Sequence, residues 1–87
     1  MYLGTMVFDQ MERLWVIWIG KNKFETFTGM DFEICIDHRF YRAMFEKDYF
    51  DYIVTIEDNV DFTLRPVETY TVLMFERELV PAEDLPF

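Results

Sequence analysis

Hydrophobic and polar residues alternate with a period of two along much of this chain, the spacing of half-buried strands. Asp31 to Asp37 is the cleanest case. Phe32, Ile34 and Ile36 fall on one face, and Glu33, Cys35 and Asp37 on the other. Tyr52 to Glu57 repeats the pattern, with Tyr52, Val54 and Ile56 set against Ile53, Thr55 and Glu57. Leu3 to Phe8 reads as a short strand with Gly4 inside it, and Asp9-Gln10-Met11-Glu12 is polar enough to turn the chain. Arg13 to Ile19 is apolar on both faces, which predicts a strand that is central or covered on both sides. Of its two faces, Leu14, Val16 and Trp18 are assigned to the core. Gly20-Lys21-Asn22-Lys23 ends that strand, and Phe24 to Thr28 is a short run stopped by Gly29.

Beyond Asp37, His38-Arg39 turns the chain into Phe40 to Glu46. Val60 to Leu64 is another short run, and the β-branched stretch up to Phe75 resumes after Pro66. Two segments also carry a helical spacing. Phe40, Ala43, Met44 and Lys47 fit one helical face, with Asp37 as its cap. Pro66 could open a helix from Val67 to Leu79. The strand reading is preferred at both. The expectation is an all-β domain with at most one short helix. Its form is a small antiparallel SH3-like barrel or a strongly bent sheet of five to seven strands. Residues 1–87 make a single domain, in which 76–87 is a loose acidic tail carrying Pro81 and Pro86.

Composition supports a folded core. Ten Phe, five Tyr and two Trp in 87 residues let a small domain bury enough apolar surface. The same chain carries seventeen acids against eight bases, a formal charge of −9. Nine of those acids fall between residues 31 and 61, against three bases in the same stretch. An acidic surface repels nucleic acid and attracts basic protein surfaces. The longest apolar run, Leu14 to Ile19, is far short of the roughly 20 residues of a membrane-spanning helix. Cys35 is the single cysteine, so no internal disulfide can form, and a reducing cytoplasm is the expected compartment.

Gly29-Met-Asp-Phe-Glu-Ile-Cys-Ile-Asp, Phe40-Tyr-Arg-Ala-Met-Phe-Glu-Lys-Asp and Asp51-Tyr-Ile-Val follow one another in an order that resembles a known group. The group is the small uncharacterised SH3-like barrel proteins of Firmicutes and their phages. Gly4-Thr-Met-Val-Phe-Asp and Arg13-Leu-Trp-Val fit the same plan, so the resemblance covers about residues 4–57. The chain departs from it at Asp37-His38-Arg39, where the group often has a turn glycine. The resemblance implies a barrel fold and carries over no functional residue.

Candidate chemistry is thin. Cys35 and His38 have C-x-x-H spacing, but zinc needs three or four ligands and no second Cys or His exists. A nucleophilic Cys–His pair would also need an orienting group and an oxyanion site. Carboxylate pairs abound, yet a solvated charged face accounts for them. The expectation is therefore no enzyme, no catalytic residue, no cofactor and no metal. The sharpest feature is the pair of acidic stretches Glu46–Asp51 and Glu57–Asp61. The residues expected to bind a partner are Glu46, Asp48, Asp51, Glu57, Asp58 and Asp61, with Tyr49 and Phe50 as apolar anchors. The partner expected is a basic surface on a nucleic-acid-handling protein, with no direct nucleic-acid or membrane binding. A phage or mobile-element factor, such as an anti-CRISPR or anti-restriction protein acting by nucleic-acid mimicry, fits this size and charge. The alternative is a small SH3-like adaptor that binds a peptide or protein through exposed aromatics.

Overall fold

The computed structural model describes residues 1–47, 51–57 and 60–82. Among these the chain is all-β. The strands are β1 (Tyr2–Asp9), β2 (Leu14–Ile19), β3 (Asn22–Glu25), β4 (Asp31–Ile36), β5 (Arg39–Lys47), β6 (Tyr52–Ile56), β7 (Val60–Thr63), β8 (Tyr70–Met74) and β9 (Val80–Pro81). All pair antiparallel in one sheet of order β7-β6-β5-β4-β8-β1-β2-β3-β9. Nine strands thus replace the expected five to seven. The ladder stays open, with β7 and β9 at its edges, rather than closing as a hydrogen-bonded barrel.

Neither helical alternative forms. Residues 39–47 are held as a strand because β4 and β6 pair with them on both sides, turning Tyr41, Ala43 and Phe45 inward. The 67–79 segment yields β8 and a single 3₁₀ turn, Glu76–Glu78. The beginning of the tail pairs with the sheet: Val80 lies opposite Glu25, and the Ala82 N–H donates to the Lys23 carbonyl at 3.0 Å. Pro81 cannot donate to a ladder and is tolerated there because β9 is an edge. Residues 83–87 of the expected tail lie outside the described residues. No helix among the described residues is long and apolar enough to cross a membrane.

Turn chemistry explains the hairpins. Asp9 closes the β1–β2 loop by accepting the Met11 and Glu12 N–H groups at 2.9 and 3.1 Å. Gly20 adopts φ +60° at the first position of the two-residue β2–β3 loop, where a side chain would be strained. The β4–β5 loop is Asp37-His38, with φ +51° and +66°, so Arg39 already belongs to β5. Positive φ at both positions is what a type I′ hairpin requires, and here non-glycine residues supply it. Asp37 is therefore a turn residue, not an outward-facing strand residue.

The sheet bends because aromatic side chains draw its two halves together. Phe45, Tyr52, Phe8, Trp15, Tyr70 and Phe62 form a continuous chain of ring contacts, with successive centroids 5.8, 6.4, 5.6, 5.7 and 5.8 Å apart. This chain links β5, β6 and β7 to β1, β2 and β8 across the inside of the curl. Met6, Ile17, Met30, Phe32, Ile34, Val54, Val72 and Met74 fill the same core. The Nε1 of Trp15 is buried without a hydrogen-bond partner and lies among these rings.

The core assignment holds for Phe32, Ile34, Ile36, Tyr52, Val54 and Ile56, which all pack in or against this cluster. It is wrong for β2. Trp15 and Ile17 are fully buried, whereas Leu14 and Trp18 are 37% and 40% exposed. Val16 is buried, but apart from the main core and on the outer side. Both faces of β2 are apolar, so alternation alone cannot choose between them, and a one-residue offset flips every side chain. Gly4 shows what decides it. Its position faces Ile19 and Ile17, and a Cβ there would lie 3.0 Å from the Trp18 carbonyl oxygen.

Candidate functional site on the outer face of the sheet

Residues directly opposite each other on antiparallel strands share a face. The register therefore sorts the acids. Asp31 lies opposite Met44, Met44 opposite Thr55, and Thr55 opposite Asp61. One row along, Glu33 lies opposite Arg42. One row the other way, Glu46 lies opposite Ile53, and Ile53 opposite Thr63. All of these alternate with buried residues and point away from the core. Asp31, Glu33, Glu46 and Asp61 consequently share the outer face of β4, β5 and β7. Glu57, exposed and at φ +53°, marks its rim, where its N–H donates to the Arg42 carbonyl at 3.0 Å.

Spacing on this face follows from strand geometry. Neighbouring strands are roughly 4.8 Å apart, and residues two apart along a strand are roughly 7 Å apart. Carboxylates on such a lattice repel one another unless a cation intervenes, and Arg42 is the cation set among them. Thr55 donates its hydroxyl to Asp61 Oδ1 at 3.0 Å, which holds one carboxylate in place. Asp31, Arg42, Ala43, Met44, Thr55 and Glu57 line a depression of about 150 Å³. Pockets that enclose a small-molecule ligand run to roughly 300–1,000 Å³. The depression is smaller than these, and the face offers contact rather than enclosure.

Four of the eight residues expected to bind a partner can be placed. Glu46 and Asp61 lie on the acidic face and Glu57 on its rim. Asp51 is exposed just before β6, at the opposite end of that strand from Glu57. Six residues of extended chain separate the two by roughly 20 Å, so the two acidic stretches flank β6 rather than forming one cluster. Asp48, Tyr49, Phe50 and Asp58 lie outside the described residues. Asp31 and Glu33 were absent from the expected set. Their signal was the alternation of 31–36, which already turned Glu33 outward. What alternation does not carry is the pairing that brings them beside Glu46 and Asp61. Cys35 is half-buried on the outer side of β4 opposite Phe40, and His38 is exposed in the adjacent turn.

The chain matches no protein-family model, no curated protein and no solved structure. The functional reading therefore rests on this geometry.

Proposed function

We propose that this protein is a non-enzymatic inhibitor or modulator whose acidic outer face occupies a basic surface of a nucleic-acid-handling protein. The observation that carries the reading is the shared face of Asp31, Glu33, Glu46 and Asp61, with Glu57 at its rim. Fixed strands hold these carboxylates in a defined array, so a basic groove evolved for phosphates would meet charge without having to order it. Complementary fields of this kind speed association and select partners. A shallow face without an enclosing pocket also suits contact with a macromolecule. The biological role in this proposal is that of an anti-CRISPR or anti-restriction factor of a phage or mobile element, acting in the cytoplasm.

The test is charge reversal. A protein captured from host extract on the immobilised domain is purified, and its affinity is measured for wild type and for the Glu33→Lys, Glu46→Lys, Asp61→Lys triple variant. The variant is expected to fold and to bind at least about tenfold more weakly, with the loss in the association rate. Duplex DNA should compete with the wild type, and binding should weaken as salt rises through a few tenths molar. Equal affinity of wild type and variant at low salt rejects the proposal.

A second reading is an SH3-like adaptor that recognises a peptide through aromatics. Exposed Tyr2, Trp18, Phe27 and Phe40 favour it. An aromatic contact of that kind would be nearly insensitive to salt, which separates the two.

A further inference from the structure

Two of the chain's eight bases line one depression. It lies where the β2–β3 hairpin meets β9, is bounded by Trp18, Lys21, Lys23, Phe24, Pro81 and Ala82, and measures about 440 Å³. Sites that hold a ligand run to roughly 300–1,000 Å³. Among the described residues that line it, none is acidic. Lys23 stands over the Trp18 ring at 5.9 Å. Glu25 shares the outer face of β3 with Lys23, but it lies opposite Val80, on the side of Lys23 away from Lys21. The occupant that fits is negative towards Lys21 and apolar towards Trp18.

The chain itself leads into this depression. Val80 and Pro81 pair with Glu25 and Phe24, and the Ala82 N–H donates to the Lys23 carbonyl at 3.0 Å, one step further along the same ladder. Antiparallel partners advance together, so the next two positions of β3 and its hairpin, Asn22 and Lys21, fall opposite residues 83 and 84. Hydrogen-bonded and non-hydrogen-bonded pairs alternate along such a ladder. Ala82 with Lys23 is a bonded pair, so residue 84 with Lys21 is the next one. The sequence there is Glu83-Asp84-Leu85-Pro86-Phe87, two acids followed by an apolar run. A carboxylate at 84 falls opposite Lys21 and diagonal to Lys23 on one face. Five extended residues reach roughly 17 Å, and Trp18 is two strand spacings, roughly 10 Å, from β9. A segment tethered at the rim also has an effective concentration in the millimolar range, an advantage that a free acidic peptide lacks.

We propose that residues 83–87 are the occupant of this depression. Glu83 and Asp84 continue β9 along β3, Asp84 pairs with Lys21 and Lys23, and the apolar run covers Trp18. The segment thereby neutralises a basic spot on an otherwise acidic protein, and a basic partner meets no like charge there. The inference goes beyond the acidic-face reading and uses none of its carboxylates, so either can fail alone.

Amide hydrogen exchange on the full chain reads the register directly. The Asp84 N–H should exchange at least about tenfold more slowly than in a free peptide of residues 80–87, while the Glu83 N–H, which points away from β3 in this register, should stay within about twofold of the peptide rate. Exchange of Asp84 at the peptide rate, or equal protection of both amides, overturns the proposal. Acrylamide quenching supplies the second readout, because Trp18 is 40% exposed and Trp15 fully buried. Asp84→Lys and Lys21→Glu should each make Trp18 more accessible to quencher and remove the protection at residue 84, and the two combined should restore both. Quenching and exchange that remain those of wild type in Asp84→Lys overturn the proposal, as does a double variant no better than either single one. The exchange measurement on wild type decides the matter should a variant fail to fold.

Discussion

Phe8 and Tyr52 meet edge-on at 6.4 Å although three strands separate β1 from β6 in the sheet order. Only a sheet curled back on itself can bring them together. The Tyr52 hydroxyl strengthens the same closure by donating to the Arg13 carbonyl at 3.2 Å, at the start of β2. Both rings pack against the core cluster, so their contact couples the two halves of the fold. Phe8→Ala and Tyr52→Ala should each destabilise by roughly 2–4 kcal/mol, below the cost at a fully buried ring. A double-mutant cycle by chemical denaturation should return a coupling of about 0.5–1.5 kcal/mol. Additive effects would show that the halves are held together elsewhere.

The two tryptophans of β2 provide a test of register. Trp15→Ala should cost about 3–5 kcal/mol, because it empties a fully buried site between Phe8 and Tyr70. Trp18→Ala should cost under about 1 kcal/mol, as expected for an exposed position. Urea midpoints of the two variants check this directly, and the reverse order would place the strand one residue out of register.

Gly4 is needed for close packing rather than for an unusual backbone angle. A Cβ there would stand 3.0 Å from the Trp18 carbonyl oxygen and 3.0 Å from Ile19 Cγ1. The carbonyl belongs to the neighbouring strand and cannot swing away as a side chain can. Gly4→Ala should therefore destabilise by roughly 1–3 kcal/mol despite the better strand propensity of alanine, seen as a lower thermal midpoint.

The β4–β5 hairpin stores strain in Asp37 and His38, both at positive φ. A left-handed conformation costs an ordinary L-residue roughly 1–2 kcal/mol and costs glycine far less. Asp37→Asn combined with His38→Gly should raise stability by about 0.5–1 kcal/mol, with the fold unchanged by circular dichroism. No gain would mean that the Asp and His side chains compensate the strain locally.

Tyr70 sets an alkaline limit. Burial is the largest cause raising its hydroxyl above the usual value of 10.0, and the Glu68 carboxylate adds to it, while the hydrogen bond from the Arg65 N–H at 3.0 Å acts the other way. The folded form thus holds its proton at a pH where the unfolded chain has lost it. Unfolding then releases a proton, and stability falls as pH rises above the unfolded value and through the folded one. Below that window the contribution is complete. Denaturation followed from pH 8 upward should show a decline beginning near pH 10, and Tyr70→Phe should flatten it. An identical decline in the variant would assign it to other groups.

Much of the strand content could be read from residue order alone. The 31–36 and 52–56 segments alternate so regularly that only one face can be buried, and Phe32, Ile34, Val54 and Ile56 are inside as expected. The polar stretch after β1 and the Gly20-Lys21 pair are hairpin turns for the local reasons their residue types suggest, whereas Asn22 and Lys23, read as turn, already belong to β3. Such features depend on neighbours in sequence, where backbone preference and spacing suffice. The inward face of β2 needed the tertiary structure, because both its faces are apolar and only contacts with other strands, such as Trp15 with Phe8 and Tyr70 and Ile17 with Gly4, distinguish them. So did the insertion of β8 between β1 and β4, which joins strands distant in the chain. That insertion also sets Leu73 beside Glu33 on the outer face. Composition foretold that the protein would be acidic. Where the charge gathers is a property of long-range pairing, in which energy depends on which strands meet and not on the residues beside each acid in the chain.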